Sequence, residues 1–118
     1  VFEGNLYWNL SGESSFLGYE NLEKWAEGTG KEMVEGQFTG LYADPKLSEF
    51  NKVKSIDPAK INPENFTGLA PGAKSPLIDQ GLDLKVLLNL EMGGRDLLGT
   101  PTPVGNYYDI GAIELEDL

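Results

Sequence analysis

Ser75-Pro76-Leu77-Ile78-Asp79-Gln80-Gly81 sets an aspartate between two apolar residues and a glycine, shortly after a proline. Proline and glycine punctuate a chain, and an aspartate beside them accepts N–H groups from the surrounding backbone. Asp79 is therefore expected to hold a turn. Two later stretches repeat the theme, Arg95-Asp96-Leu97-Leu98-Gly99 and Asp109-Ile110-Gly111-Ala112-Ile113-Glu114. Asp109 is placed to accept amides as Asp79 does, and Arg95 and Asp96 are expected to pair across their loop. These four are read as structural turn residues.

Composition suits a turn-rich chain. At 118 residues there is enough for one domain and too little for two ordinary ones. Hydrophobic residues at 40% and charged residues at 24% are globular proportions. Fifteen glycines and seven prolines favour short strands over a helix bundle. In a helix interior they would cost about 1 and 3 kcal/mol each. The net charge of −10 repels nucleic-acid backbones and anionic membrane surfaces, and turns any glycan preference toward neutral sugars. With no cysteine there is no disulfide framework and no thiolate zinc site. With no histidine, the commonest general base and the commonest metal ligand are missing. Chemistry here would rest on carboxylates, Lys, Arg or Tyr. No apolar run is long enough to span a bilayer. The chain opens Val1-Phe2-Glu3, with no Met and no signal peptide, and reads as cut from something longer.

Along the chain, Phe2 to Leu10 is aromatic-rich and alternating, the pattern of one or two short strands. Asn5 and Asn9 suit corners, because Asn tolerates left-handed backbone angles. The period then changes. Leu22, Trp25 and Ala26 fall at i, i+3, i+4 with Glu and Lys on the other face, a short amphipathic helix ending at Gly28 or Gly30. Asn21 can cap it, and a start at Gly18 fits equally well. Thr29 to Glu32 reads as a turn, and Pro45 ends a strand leading from Phe38. Residues 51–73 read as an ordered loop with a short strand near Phe66. Leu82 to Leu90 fits helix or strand equally, and Tyr107 to Leu115 reads as a last strand.

Asp79, Asp83, Asp96, Asp109, Glu114 and Asp117 are the carboxylates with most chemical potential. Two of them at the right separation would make a glycosidase pair. The turn reading of Asp79, Asp96 and Asp109 competes with that and is preferred. Carboxylates and carbonyls also suit calcium, although no EF-hand loop is present. Trp8, Tyr7, Trp25, Tyr42, Tyr107 and Tyr108 offer flat faces for sugar rings. Helical spacing sends Trp25 to the core. Tyr107 and Tyr108 are adjacent, so on a strand one must face outward. Trp8, Tyr107 and Tyr108 are thus the candidate carbohydrate-binding residues, and no residue is a candidate catalyst. Two glycosylation sequons, Asn9-Leu10-Ser11 and Asn65-Phe66-Thr67, also occur.

In this order, the stretches at Ser75, Arg95 and Asp109 resemble the closing segment of secreted right-handed parallel β-helix proteins, the pectin-lyase-like group. Asn5-Leu6-Tyr7-Trp8-Asn9 is similar to the last rungs of such a helix. The Leu22-x-x-Trp25 helix, the Thr29-Gly30 turn and Asp44-Pro45 extend the resemblance over roughly Phe2 to Glu114. Ile113 departs from the pattern, standing where an aromatic is frequent. The resemblance implies a mostly-β chain, the last rungs and C-terminal cap of a parallel β-helix, with one short amphipathic helix near Leu22–Glu27. It divides the chain into terminal strands at 1–17, a helix and turn at 18–30, and a loop-rich cap at 31–118.

The implied role is the structural, capping part of a bacterial, secreted protein that degrades polysaccharide, the parent being a glycoside hydrolase or a polysaccharide lyase. Catalytic residues of that group lie on central coils, so none is carried onto a position here. Two other readings stand beside it: a stand-alone glycan-binding module, and a non-catalytic surface or adhesion component. The expected location is secreted, periplasmic or cell-surface. No cofactor is implied, with calcium the one left open. A terminal rung around Leu6 to Trp8 would leave an open strand edge. The expected partner is accordingly the N-terminal remainder as a separate chain, or a second copy, besides polysaccharide.

Overall fold

Asn21 starts the longest described helix in the computed structural model, which describes residues 3–12, 15–53 and 57–116. Phe2, in the expected first strand, and the candidate Asp117 lie outside the described residues. The chain divides into two compact units, Val1–Asp44 and Pro45–Leu118.

In the first unit, Asn21 is extended and its side-chain oxygen accepts the Lys24 N–H at 2.9 Å, which opens helix α1 (Leu22–Thr29). Gly30, at φ 71°, closes it by returning its N–H to the Ala26 carbonyl at 2.8 Å. Leu22, Trp25 and Ala26 form the buried stripe. The rings of Tyr7 and Phe16 meet Trp25 edge-on, with centroids 6.3 and 5.0 Å away. Strand β1 (Leu6–Tyr7) pairs in parallel with the strand Leu41–Tyr42, Leu on Leu and Tyr on Tyr. Between them, β2 (Met33–Val34) and β3 (Gln37–Phe38) form an antiparallel hairpin. Leu41–Tyr42 is therefore β4. The hairpin turns at Glu35-Gly36, both with positive φ, the twist that suits a two-residue connection.

The second unit is built from short helical turns. Helix α2 (Phe50–Val53) packs on a 3-10 helix, Pro63–Leu69, whose Asn62 and Asn65 side chains cap each other's backbone N–H. A 3-10 turn at Pro58–Lys60 precedes it, and helix α3 (Leu84–Leu88) follows, capped by Asp83. Pro71, Leu77 and Ile113 are its buried apolar residues. The three quoted stretches meet here. Ile110 donates its N–H to the Leu77 carbonyl at 2.9 Å, and Leu97 to that of Ala112 at 2.8 Å. Gly81 donates to Tyr108 at 2.7 Å. A Cβ on Gly81 would lie 2.7 Å from the Tyr108 carbonyl oxygen, so only glycine allows this approach.

This architecture corrects the mostly-β, β-helix expectation. Helix takes 25% and strand 13%, and the described residues hold two two-stranded sheets and no solenoid. The described residues among 3–17 contribute one two-residue strand, Leu6–Tyr7, to a sheet where terminal rungs were expected. Phe66 lies in a 3-10 helix, and Tyr107 to Leu115 forms no strand. There are two physical reasons. Among the described residues, six non-glycine residues and ten glycines take positive φ, and each such residue turns an extended chain aside. In the last segment, moreover, the amides of Tyr107, Asp109, Glu114 and Leu115 donate to side-chain carboxylates, leaving no ladder for a strand to join.

Candidate functional site

Four carboxylates organise the closing segment of the second unit. Asp79 sits at φ 54°, a left-handed position that aspartate tolerates. Its Oδ1 accepts the N–H groups of Asn106 and Tyr107 at 3.1 and 2.8 Å, and its own N–H donates to Asp109 Oδ1 at 2.8 Å. Asp109 is buried, and its second oxygen accepts the Leu115 N–H at 2.8 Å. Glu114, also buried, accepts the N–H groups of Asp109 and Val104 at 3.0 and 3.1 Å. Asp96 Oδ1 accepts from Leu98 and Thr100, both at 2.8 Å, and its Oδ2 accepts from Glu114 at 3.1 Å. Burial pushes the Asp96 carboxyl up. The amides of Glu114, Thr100, Leu98 and Gly99 outweigh that and hold it below the usual carboxylate value. A group so held stays ionised at neutral pH and makes a poor general acid.

Arg95 donates from Nη1 to the Gly99 carbonyl at 2.7 Å, which closes its own loop in place of the expected pairing with Asp96. Beside these residues lies a cleft of about 430 Å³, reached by Met92, Arg95, Tyr108 and Gly111. Of the two expected sugar-contacting tyrosines, Tyr107 is exposed, while Tyr108 is half-buried and lines that cleft. Among the described residues, no group of three or more carboxylates is placed to hold a metal ion.

The third candidate, Trp8, belongs to the first unit and is 42% exposed. Its ring meets Tyr42 at 5.8 Å, tilted by 54°. The two help line a groove of about 250 Å³ with Phe16, Leu17, Asn9 and Ser15. Trp8 and the Tyr107–Tyr108 pair thus belong to different units.

The same unit holds a group that sequence reading passed over. Glu32 is fully buried. Its carboxylate accepts from the Asn5 backbone N–H at 3.2 Å, the Asn5 side-chain amide at 2.5 Å, the Tyr7 hydroxyl at 2.8 Å and the Thr39 hydroxyl at 3.5 Å. Burial first, and then the Glu32 hydrogen bond and charge, push the Tyr7 hydroxyl up to about 12. In Thr29-Gly30-Lys31-Glu32 nothing local marks this glutamate out from any polar turn residue. Phe16, a wall of the groove, was likewise not singled out.

Scans of protein-family models, curated proteins and solved structures find no match to this chain.

Proposed function

We propose that this chain is a non-catalytic structural part of a secreted or cell-surface protein that acts on polysaccharide, and that the chemistry lies in residues outside it. The observation that carries the reading is the use made of the carboxylates. Asp79, Asp96, Asp109 and Glu114 hold backbone amides 2 to 30 residues away. A carboxylate occupied in this way braces a loop. A catalytic pair instead needs one member free to give up a proton and the other free to reach the substrate. The role does not require solenoid architecture in this chain. The parent's reaction is cleavage of glycosidic bonds, by hydrolysis or by elimination. The partner is a second polypeptide carrying the catalytic residues, or a further copy of this one.

Native size and intact mass of the protein from its source test this, together with cleavage assays on neutral and acidic polysaccharides. A larger polypeptide that co-purifies and cleaves glycan, while the purified chain does not, is the expected result. Cleavage by the chain alone would overturn the reading if it is lost in Asp96→Asn or Glu114→Gln while the fold survives.

A further inference from the structure

We infer that the groove lined by Trp8, Tyr42 and Phe16 binds a single ring of a neutral sugar, with the C–H face of the ring stacked on the Trp8 indole. The sugar class rests on the polysaccharide reading above; the place and the absence of charge rest on the groove itself. Four features point there.

The first is exposure. Trp8 keeps 42% of its surface in water, although the neighbouring rings of Tyr7, Phe16 and Trp25 pack against one another. An aromatic face left out of that cluster gains by covering an apolar surface of matching size. The second is the groove's chemistry. The aromatic and aliphatic residues Trp8, Tyr42, Phe16 and Leu17 line it together with the uncharged Asn9 and Ser15. Asn9 is fixed by accepting from the Ser11 N–H and hydroxyl, both at 2.9 Å, which leaves its side-chain NH₂ to donate to a sugar hydroxyl.

The third is charge. Among the described residues that line the groove, the tyrosines are the only ionisable ones, and the chain carries −10. A uronate would meet repulsion and no counter-charge, whereas a neutral ring loses nothing. At about 250 Å³ the groove is of a size for a single sugar ring. The fourth is strain. Leu17, at the groove's edge, has φ 47° and is 75% exposed. Its turn is pinned by paired hydrogen bonds between Phe16 and Tyr19 at 3.0 and 2.9 Å. A non-glycine residue held in the left-handed region without burying its side chain is the sort of cost that binding sites retain.

The experiment is saturation-transfer NMR and tryptophan fluorescence on the whole chain with methyl β-glucoside, methyl α-mannoside and methyl β-galactoside, with galacturonate as the charged probe. Saturable binding of at least one neutral glycoside in the millimolar range is expected, with galacturonate inert. Trp8→Ala should weaken binding roughly ten-fold or more, with circular dichroism unchanged. Asn9→Ala should weaken it less. Four results would overturn the inference: no saturable response to any neutral glycoside, equal binding of galacturonate, unchanged binding by Trp8→Ala, or a competing apolar ligand such as indole that binds where no glycoside does. None of these bears on whether a glycan-cleaving partner co-purifies, so this inference and the proposed function fail separately.

Discussion

Glu32 and Tyr7 form a pair in which the hydrogen bonds that hold the buried carboxylate, among the described residues, come from the neutral donors of Asn5, Tyr7 and Thr39. A carboxylate out of water is tolerable only while those donors stay in place. Gly40 shares in this, because a Cβ there would come within 3.2 Å of the Glu32 side chain. Tyr7→Phe removes one donor and should cost about 1.5–3 kcal/mol at pH 7, as expected for a hydrogen bond to a charged group. The pair also sets an alkaline limit. The Tyr7 hydroxyl is raised from 10.0 to about 12 in the folded chain, so its contribution is fully present below pH 10 and is lost as the pH rises through 12. Urea midpoints at pH 8, 10 and 11 read this directly. Wild type should lose more stability than Tyr7→Phe across that window, and parallel losses would mean that another group sets the limit.

Elements show where the sequence spoke and where it was silent. Helix α1 was legible because its signals are local: a capping Asn21, an apolar stripe within four residues, and a glycine at the end. Trp25→Ala should therefore behave as a core truncation, costing about 3–5 kcal/mol and unfolding the first unit, which thermal melts followed by circular dichroism would report. Of the candidate sites, the aromatic character of Trp8 was visible in the sequence, but its groove was not. Phe16, eight residues on, joins it only through the fold. The segment after Tyr107 misled for a related reason. Its alternation matches a strand, yet its amides are claimed by Asp79, Asp96 and Asp109, and period-two patterning carries no record of such distant acceptors. Gly81 marks the junction. Gly81→Ala would press a methyl group to 2.7 and 2.9 Å from the carbonyl oxygens of Tyr108 and Asp109. A backbone shift costing about 1–3 kcal/mol should follow, seen as a lower melting temperature and as chemical-shift changes centred on residues 108–110.

Taken as a whole, the chain has two small cores of different kinds, one built on Trp25 and a buried glutamate, the other on Leu77, Ile113 and amide-bonded carboxylates. Neither has much apolar surface to spare, so single polar contacts weigh heavily in each. Both tryptophans, Trp8 and Trp25, belong to the first unit, and tryptophan emission therefore originates in that unit. Asp96 gives a handle on the second. Its carboxyl titrates below the ordinary value in the folded chain, so its stabilising effect is complete above the unfolded value and disappears as the pH falls through the folded one. Asp96→Asn keeps one acceptor oxygen, loses the charge, and should destabilise the second unit by about 1–3 kcal/mol at neutral pH. It should also flatten the fall of that unit's stability below about pH 4. Amide exchange at Leu98, Thr100 and Glu114 would speed up in this variant while tryptophan emission stays at its wild-type value. Tyr7→Phe should do the reverse, altering emission and leaving those three amides protected. If each substitution instead moved both signals together, the chain would unfold as one cooperative body, and the division at Asp44 and Pro45 would have no thermodynamic meaning.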